Sequence, residues 1–154
     1  MLIIDCHGHY TTAPAPHQAF RAAQLAWADH PTGEAPKPSA ISDDAIRQSI
    51  EENQLKLQQQ RHADITIFSP RASAMAHHEG NEIVSQDWTR ACNDLIHRVV
   101  TLYPRNFVGV CQLPQFPGVS IRNSVAELQR CVSELGFSFF EATIHVQSMS
   151  FCGV

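Results

Sequence analysis

Short apolar runs alternate with longer amphipathic stretches along this chain, and that alternation limits the folds open to it more than any other feature. Leu2 to Cys6 (LIIDC) reads as a buried strand, Asp64 to Phe68 (DITIF) as a second and Phe107 to Gln112 (FVGVCQ) as a third, while Phe137 to Val146 has room for a fourth. Aliphatic, β-branched and aromatic residues dominate these runs. Helical patterns lie between them. His17 to Asp29 carries Phe20, Ala23, Leu25 and Trp27. Ser42 to Arg61 opens on a good N-cap, has Asp43 and Asp44 at the positive end of the dipole, and places Ile46, Ile50 and Leu57 on one stripe. Asn81 to Tyr103 repeats Val84, Trp88, Ala91, Leu95, Val99 and Leu102 at intervals of three and four. Ser120 to Leu135 carries Ile121, Val125, Leu128, Val132 and Leu135, and Gly136 follows where a C′ glycine belongs. Proline-bearing loops separate these elements, and the first of them starts at His7.

Strand–helix alternation of this kind is the signature of an α/β fold with a parallel sheet. Two architectures satisfy it: a small doubly wound sheet of flavodoxin type, or part of a (β/α)8 TIM barrel. A complete barrel needs about 250 residues, so 154 residues supply its first three to four βα units as one incomplete domain. The first connection runs from His7 to Ala63, far longer than a doubly wound crossover requires. An insertion over a barrel mouth accounts for that length.

Composition removes several function classes. With 44% apolar residues and a formal charge of −4, the chain has the makings of a core and no disordered character. Lys37 and Lys56 are its only lysines and its arginines are scattered, so nucleic acid is not the expected partner. No apolar run reaches the length of a membrane span. Asp5 interrupts the opening run at once, which argues against a signal peptide. Cys6, Cys92, Cys111, Cys131 and Cys152 are odd in number and widely spaced. They read as reduced, core-packed thiols of a cytoplasmic protein. Glycine-rich phosphate loops and the G-x-S-x-G elbow are missing.

Chemistry concentrates at the exit of the first strand, Cys6-His7-Gly8-His9. Residues two apart on a strand project to one side. His7 and His9 can therefore face a common metal ion, with Gly8 permitting close approach between them. The alternative is two loop histidines satisfied by backbone. Strand C-termini are where barrels build their active sites, and the motif thereby favours the barrel. Asp5 reads as a buried strand-end cap or as outer support for a ligand. Arg71, directly after the second strand, has the planar fork that suits a carboxylate, and Ser69 can add a hydroxyl to the same anion. His77 and His78 titrate near neutral pH and are candidate general acid–base groups, or simply solvated loop residues. Gln112 offers either an amide to substrate or a turn residue.

LIIDCHGHY, together with IFSPRASAMAHHEG and VGVCQLPQFPG, resembles the amidohydrolase superfamily over residues 1–137. The resemblance is to its aminocarboxymuconate-semialdehyde decarboxylase-like branch and, within that branch, to hydratases of 4-oxalomesaconate type. It implies a (β/α)8 barrel and a divalent metal, zinc in the first instance. His7 and His9 match the branch's first-strand ligand pair. His145, in the run Ala142 to Val146, has the look of the fifth-strand ligand histidine, but it follows Gly136 too closely for an intervening βα unit. It is either a ligand after an internal loss or a coincidence in the tail 138–154. The implied activity is a lyase of aromatic-compound catabolism that adds water to an unsaturated oxo-tricarboxylate, with decarboxylation of a similar acid as the alternative. The implied partner is that small polycarboxylate. A sheet cut short also leaves strand edges unpaired, so self-association or a homo-oligomer, or a truncated and inactive chain, belongs to the same expectation.

Overall fold

A computed structural model describes residues 1–71 and 79–141. The sheet consists of β1 (Ile4–His9), β2 (Ile65–Ser69), β3 (Phe107–Gln112) and β4 (Phe139–Glu141), parallel throughout and in the order β1-β2-β3-β4. Each strand lies beside the next one in the chain. Such an order sweeps round one way, as in a barrel wall, whereas a doubly wound sheet reverses at a switch point.

Among the described residues, five helices lie between the strands: α1 (Ala15–Asp29), α2 (Asp43–Glu52), α3 (Gln54–Gln60), α4 (Glu82–Leu102) and α5 (Arg122–Ser133). Ser42 caps α2 by accepting the Ala45 N–H at 3.2 Å, and Asn81 caps α4 by accepting that of Val84 at 3.0 Å. Gly136 has φ +69° just past α5, as its position required. The single helix expected from Ser42 to Arg61 is two. Asn53 breaks it, because its side-chain amide donates to the Ser49 carbonyl at 2.9 Å and competes with the backbone ladder.

The core lies between the sheet and the helices. Phe68, Phe107 and Cys111 from the strands meet Ile46, Ile50, Leu95, Ile96 and Val99 from α2 and α4, and Phe137 closes one end. Trp88 and Cys92 form a smaller cluster with Phe20. Three features depart from the expectations. First, β1 extends to His9 and is an edge strand, with Leu2, Ile3 and Ile4 exposed to 64%, 37% and 50% instead of buried. Cys6 is exposed with it, while Cys92, Cys111 and Cys131 are buried as expected; Cys152 lies outside the described residues. Second, the apolar stripe of α5 is largely uncovered: Ile121, Val125 and Val132 are exposed to 75%, 47% and 56%, and Ser124, Glu127 and Cys131 are the buried residues. Leu57 of α3 is likewise exposed. Third, of the segment Phe137 to Val146, Phe139–Glu141 is strand, and residues from 142 onward lie outside the described residues.

Candidate metal centre

The pair at the end of β1 owes its geometry to a register shift. Ile4 and Asp5 pair with Ile65 and Thr66, but Gly8 and His9 pair with Phe68 and Ser69, so β1 holds one extra residue between Asp5 and Gly8. Paired residues share a side of the sheet. Asp5 therefore goes with Thr66, while His9 goes with Ser69; without the bulge Asp5 would stand in line with His7 and His9. Asp5 instead turns its carboxylate back and accepts the His7 backbone N–H at 3.1 Å. It is half-buried rather than a buried cap. Gly8 is required at the bulge, because a Cβ there would stand 2.2 Å from Thr66 Cγ2.

His7 and His9 meet edge to face, with ring centroids 4.6 Å apart and Nε2 atoms 3.1 Å apart. His9 Nδ1 lies 3.1 Å from the Pro70 carbonyl oxygen and 2.7 Å from Ser69 Oγ. A carbonyl only accepts, so Nδ1 carries the proton and donates to it, leaving the His9 Nε2 lone pair directed at His7. The Ser69 hydroxyl donates in turn to the Gly8 carbonyl at 3.2 Å. Two nitrogens on one tetrahedral zinc, each about 2.05 Å from the ion, stand about 3.3 Å apart. The observed 3.1 Å fits that requirement. Among the described residues no group of three His, Cys, Asp or Glu side chains gathers about one point.

Around the pair, an open cleft of about 260 Å³ passes Asp5, Thr11, Gln54 and Leu57 along the free edge of β1. The turn after β1 is pinned: Thr12 Oγ1 donates to Gln54 Oε1 at 2.8 Å, and Gln54 Nε2 donates to Thr11 Oγ1 at 3.2 Å. Ser69 is buried, with its hydroxyl on His9. Arg71 is exposed just past β2 and borders a cavity of about 10 Å³ shared with Tyr10, His17 and Trp88. His17 is stacked on Trp88 at 4.4 Å, and burial lowers its pKa to about 4, so it is neutral at pH 7. His77, His78 and His145 lie outside the described residues.

One polar network escaped the sequence analysis. Asn93, fully buried on α4, grips the backbone of Gln112: its Nδ2 donates to the Gln112 carbonyl at 2.9 Å, and its Oδ1 accepts the Gln112 N–H at 2.8 Å. Asn93 Nδ2 also donates to Glu127 Oε1 at 2.8 Å, and Arg130 binds the same carboxylate through Nε at 2.9 Å and Nη2 at 2.7 Å. Burial alone would raise the Glu127 pKa, but the hydrogen bonds from Arg130 and Asn93 outweigh it and hold the carboxyl below its ordinary range. An asparagine and a glutamate on the inward faces of two helices were the available signal.

A 2-keto-4-carboxy-3-hexenedioate hydratase from Sphingobium sp. (strain NBRC 103272 / SYK-6) is 56% identical over 137 residues, which are 89% of this chain and 40% of that protein. The crystal structure of 4-oxalomesaconate hydratase from Rhodopseudomonas palustris superposes with a TM-score of 0.79 at 44% identity, over 90% of this chain and 40% of that one. A dihydroxybenzoic acid decarboxylase from Polaromonas sp., solved with bound manganese, shares the fold at 21% identity and a TM-score of 0.56, over 89% of this chain and 37% of that one. The chain thus spans about 40% of the length of the hydratases it matches. The amidohydrolase family model matches residues 4–149, so nearly the whole of this chain, with its parallel strands and its histidine pair, belongs to the amidohydrolase family.

Proposed function

We propose that these residues form the first strands of a (β/α)8 barrel enzyme that adds water across the double bond of an unsaturated oxo-tricarboxylate of 4-oxalomesaconate type, in aromatic-compound catabolism. His7 and His9 would hold a divalent metal, zinc in the first instance. The observation that carries this reading is the convergence of the two Nε2 atoms at 3.1 Å while His9 Nδ1 is engaged by Pro70 and Ser69. Identities of 56% and 44% to two hydratases support hydration as the reaction.

When bound, such an ion supplies Lewis-acid polarisation of a substrate oxygen. The chain's own residues supply the rest. Ser69 and the Pro70 carbonyl fix the tautomer and ring plane of His9, and the Ser69 hydroxyl is retained as a candidate contact to the substrate anion. Arg71, at the end of β2, binds one substrate carboxylate through its fork. His77 or His78 moves the proton that hydration places on carbon, and His145 is retained as a candidate further ligand. The expected localisation is cytoplasmic and the expected partner a small polycarboxylate.

The full-length protein tests this. Incubated with an oxalomesaconate-type acid, it should consume the conjugated double bond without releasing gas. Release of CO2 with no hydrated product would transfer the assignment to a decarboxylase, the second reading, favoured by the shared fold of the Polaromonas enzyme.

A further inference from the structure

Gln54 opens α3 just past the helix break at Asn53, and the break delivers its side chain to the turn that follows the histidine pair. Thr11 N–H donates to the His9 carbonyl at 2.9 Å, a tight three-residue turn that keeps Thr11 beside His9. Thr12 Oγ1 donates to Gln54 Oε1 at 2.8 Å, and Gln54 Nε2 donates to Thr11 Oγ1 at 3.2 Å. These two bonds orient the amide, with Oε1 toward Thr12 and Nε2 toward Thr11. Counting hydrogens shows what is left over. The amide nitrogen carries two, and Thr11 takes one of them. The Thr11 hydroxyl accepts that bond, so its own hydrogen is unspent among the described residues.

Both groups line the cleft of about 260 Å³ that holds His7 and His9. Other polar side chains of that cleft are already engaged. Gln58 spends both amide hydrogens, on Thr66 Oγ1 at 3.1 Å and on the Asn106 carbonyl at 2.8 Å. The Asp5 carboxylate is turned onto the His7 backbone N–H. Arg61 brings the cleft a positive charge. Two donors held 3.2 Å apart by their neighbours can meet one carboxylate together, with little ordering left to be done on binding.

We propose that the Thr11 hydroxyl and the Gln54 amide form a carboxylate-binding subsite beside the histidine pair, each donating one hydrogen bond to a carboxylate of the tricarboxylate. This rests on the proposed function, in which Arg71 holds a different carboxylate of the same acid. Neither residue exchanges a proton; together they fix where the acid lies relative to His7 and His9.

The test measures binding to the full-length, metal-loaded protein. The calorimetric probe is propane-1,2,3-tricarboxylate, which has no double bond to hydrate, and KM for the unsaturated acid is read alongside. Thr11→Val removes the hydroxyl at nearly constant shape. It should weaken binding of the probe and raise KM about tenfold, the worth of a hydrogen bond to a charged group. Thr11→Ser keeps the hydroxyl and should stay within about threefold of the unsubstituted protein. Gln54→Glu keeps the acceptor for Thr12 but puts an anion in place of the donor, so it should weaken binding at least as much as Thr11→Val. Metal content should hold in all three. Binding and KM within about twofold in both Thr11→Val and Gln54→Glu overturn the inference. So does a Thr11→Ser variant as weak as Thr11→Val, or an unsubstituted protein that does not bind the probe. Loss of metal or of the fold in both Thr11→Val and Gln54→Glu also overturns it, because the pair would then serve the histidines or the turn. If the unsubstituted protein hydrates nothing yet binds the probe through these two residues, the proposed function fails and the subsite stands. If it hydrates the acid while the variants bind as it does, this inference alone fails.

Discussion

The site is decided by a few atoms. In the proposed site His9 would offer Nε2 to a cation because its Nδ1 is occupied by Pro70 and Ser69. Ser69→Ala should therefore leave the fold intact yet lower metal affinity about 10- to 100-fold, measured by competition with a chelator. Gly8 acts through the space it leaves. With Thr66 Cγ2 only 2.2 Å from a Cβ placed there, Gly8→Ala must push β1 away from β2. The expected cost is about 1–3 kcal/mol, read from denaturant unfolding, with loss of metal binding. At this scale the sequence was informative about residue types. The convergence of His7 and His9 was legible because period two and a missing side chain are both visible in the string. The bulge is not: it arises from pairing with a strand some sixty positions away, and it turns Asp5 away from the pair.

Among the elements, the strands, the start of α2 and the long α4 were legible because their periodicity is strong and the caps of the two helices, Ser42 and Asn81, are ordinary. Asn53 hid the break between α2 and α3, since its local hydrogen bond to Ser49 does not disturb the apolar stripe. α5 misled more deeply. Ile121, Val125 and Val132 of its apolar stripe are exposed while Leu128 packs on the core, and it is tied to α4 through Glu127, Arg130 and Asn93. Removing one partner of a buried ion pair strands the other. Glu127→Ala should cost about 3–5 kcal/mol and loosen the exit of β3. The Glu127 carboxyl is held below its unfolded value of 4.5. Its contribution is complete above pH 4.5 and is lost as the pH falls below that value through the folded one. Unfolding titrations should show this loss in the unsubstituted protein and a flatter profile in Glu127→Ala.

For the molecule as a whole, the strand order β1-β2-β3-β4 carries the barrel reading, and the open edge of β1 is its counterpart. Ile3 and Ile4 beside that edge, and Ile121, Val125 and Val132 on α5, are apolar and exposed. Unpaired backbone and uncovered apolar surface both favour association. The 154 residues prepared alone should sediment as oligomers or aggregates, and a monodisperse monomer would count against the reading that they are a sector of a larger barrel. The central claim concerns the cation. Elemental analysis of the purified full-length protein tests it most directly: about one divalent ion per chain is expected, with both His7→Ala and His9→Ala nearly metal-free although folded. Full metal occupancy in both folded variants would contradict the account.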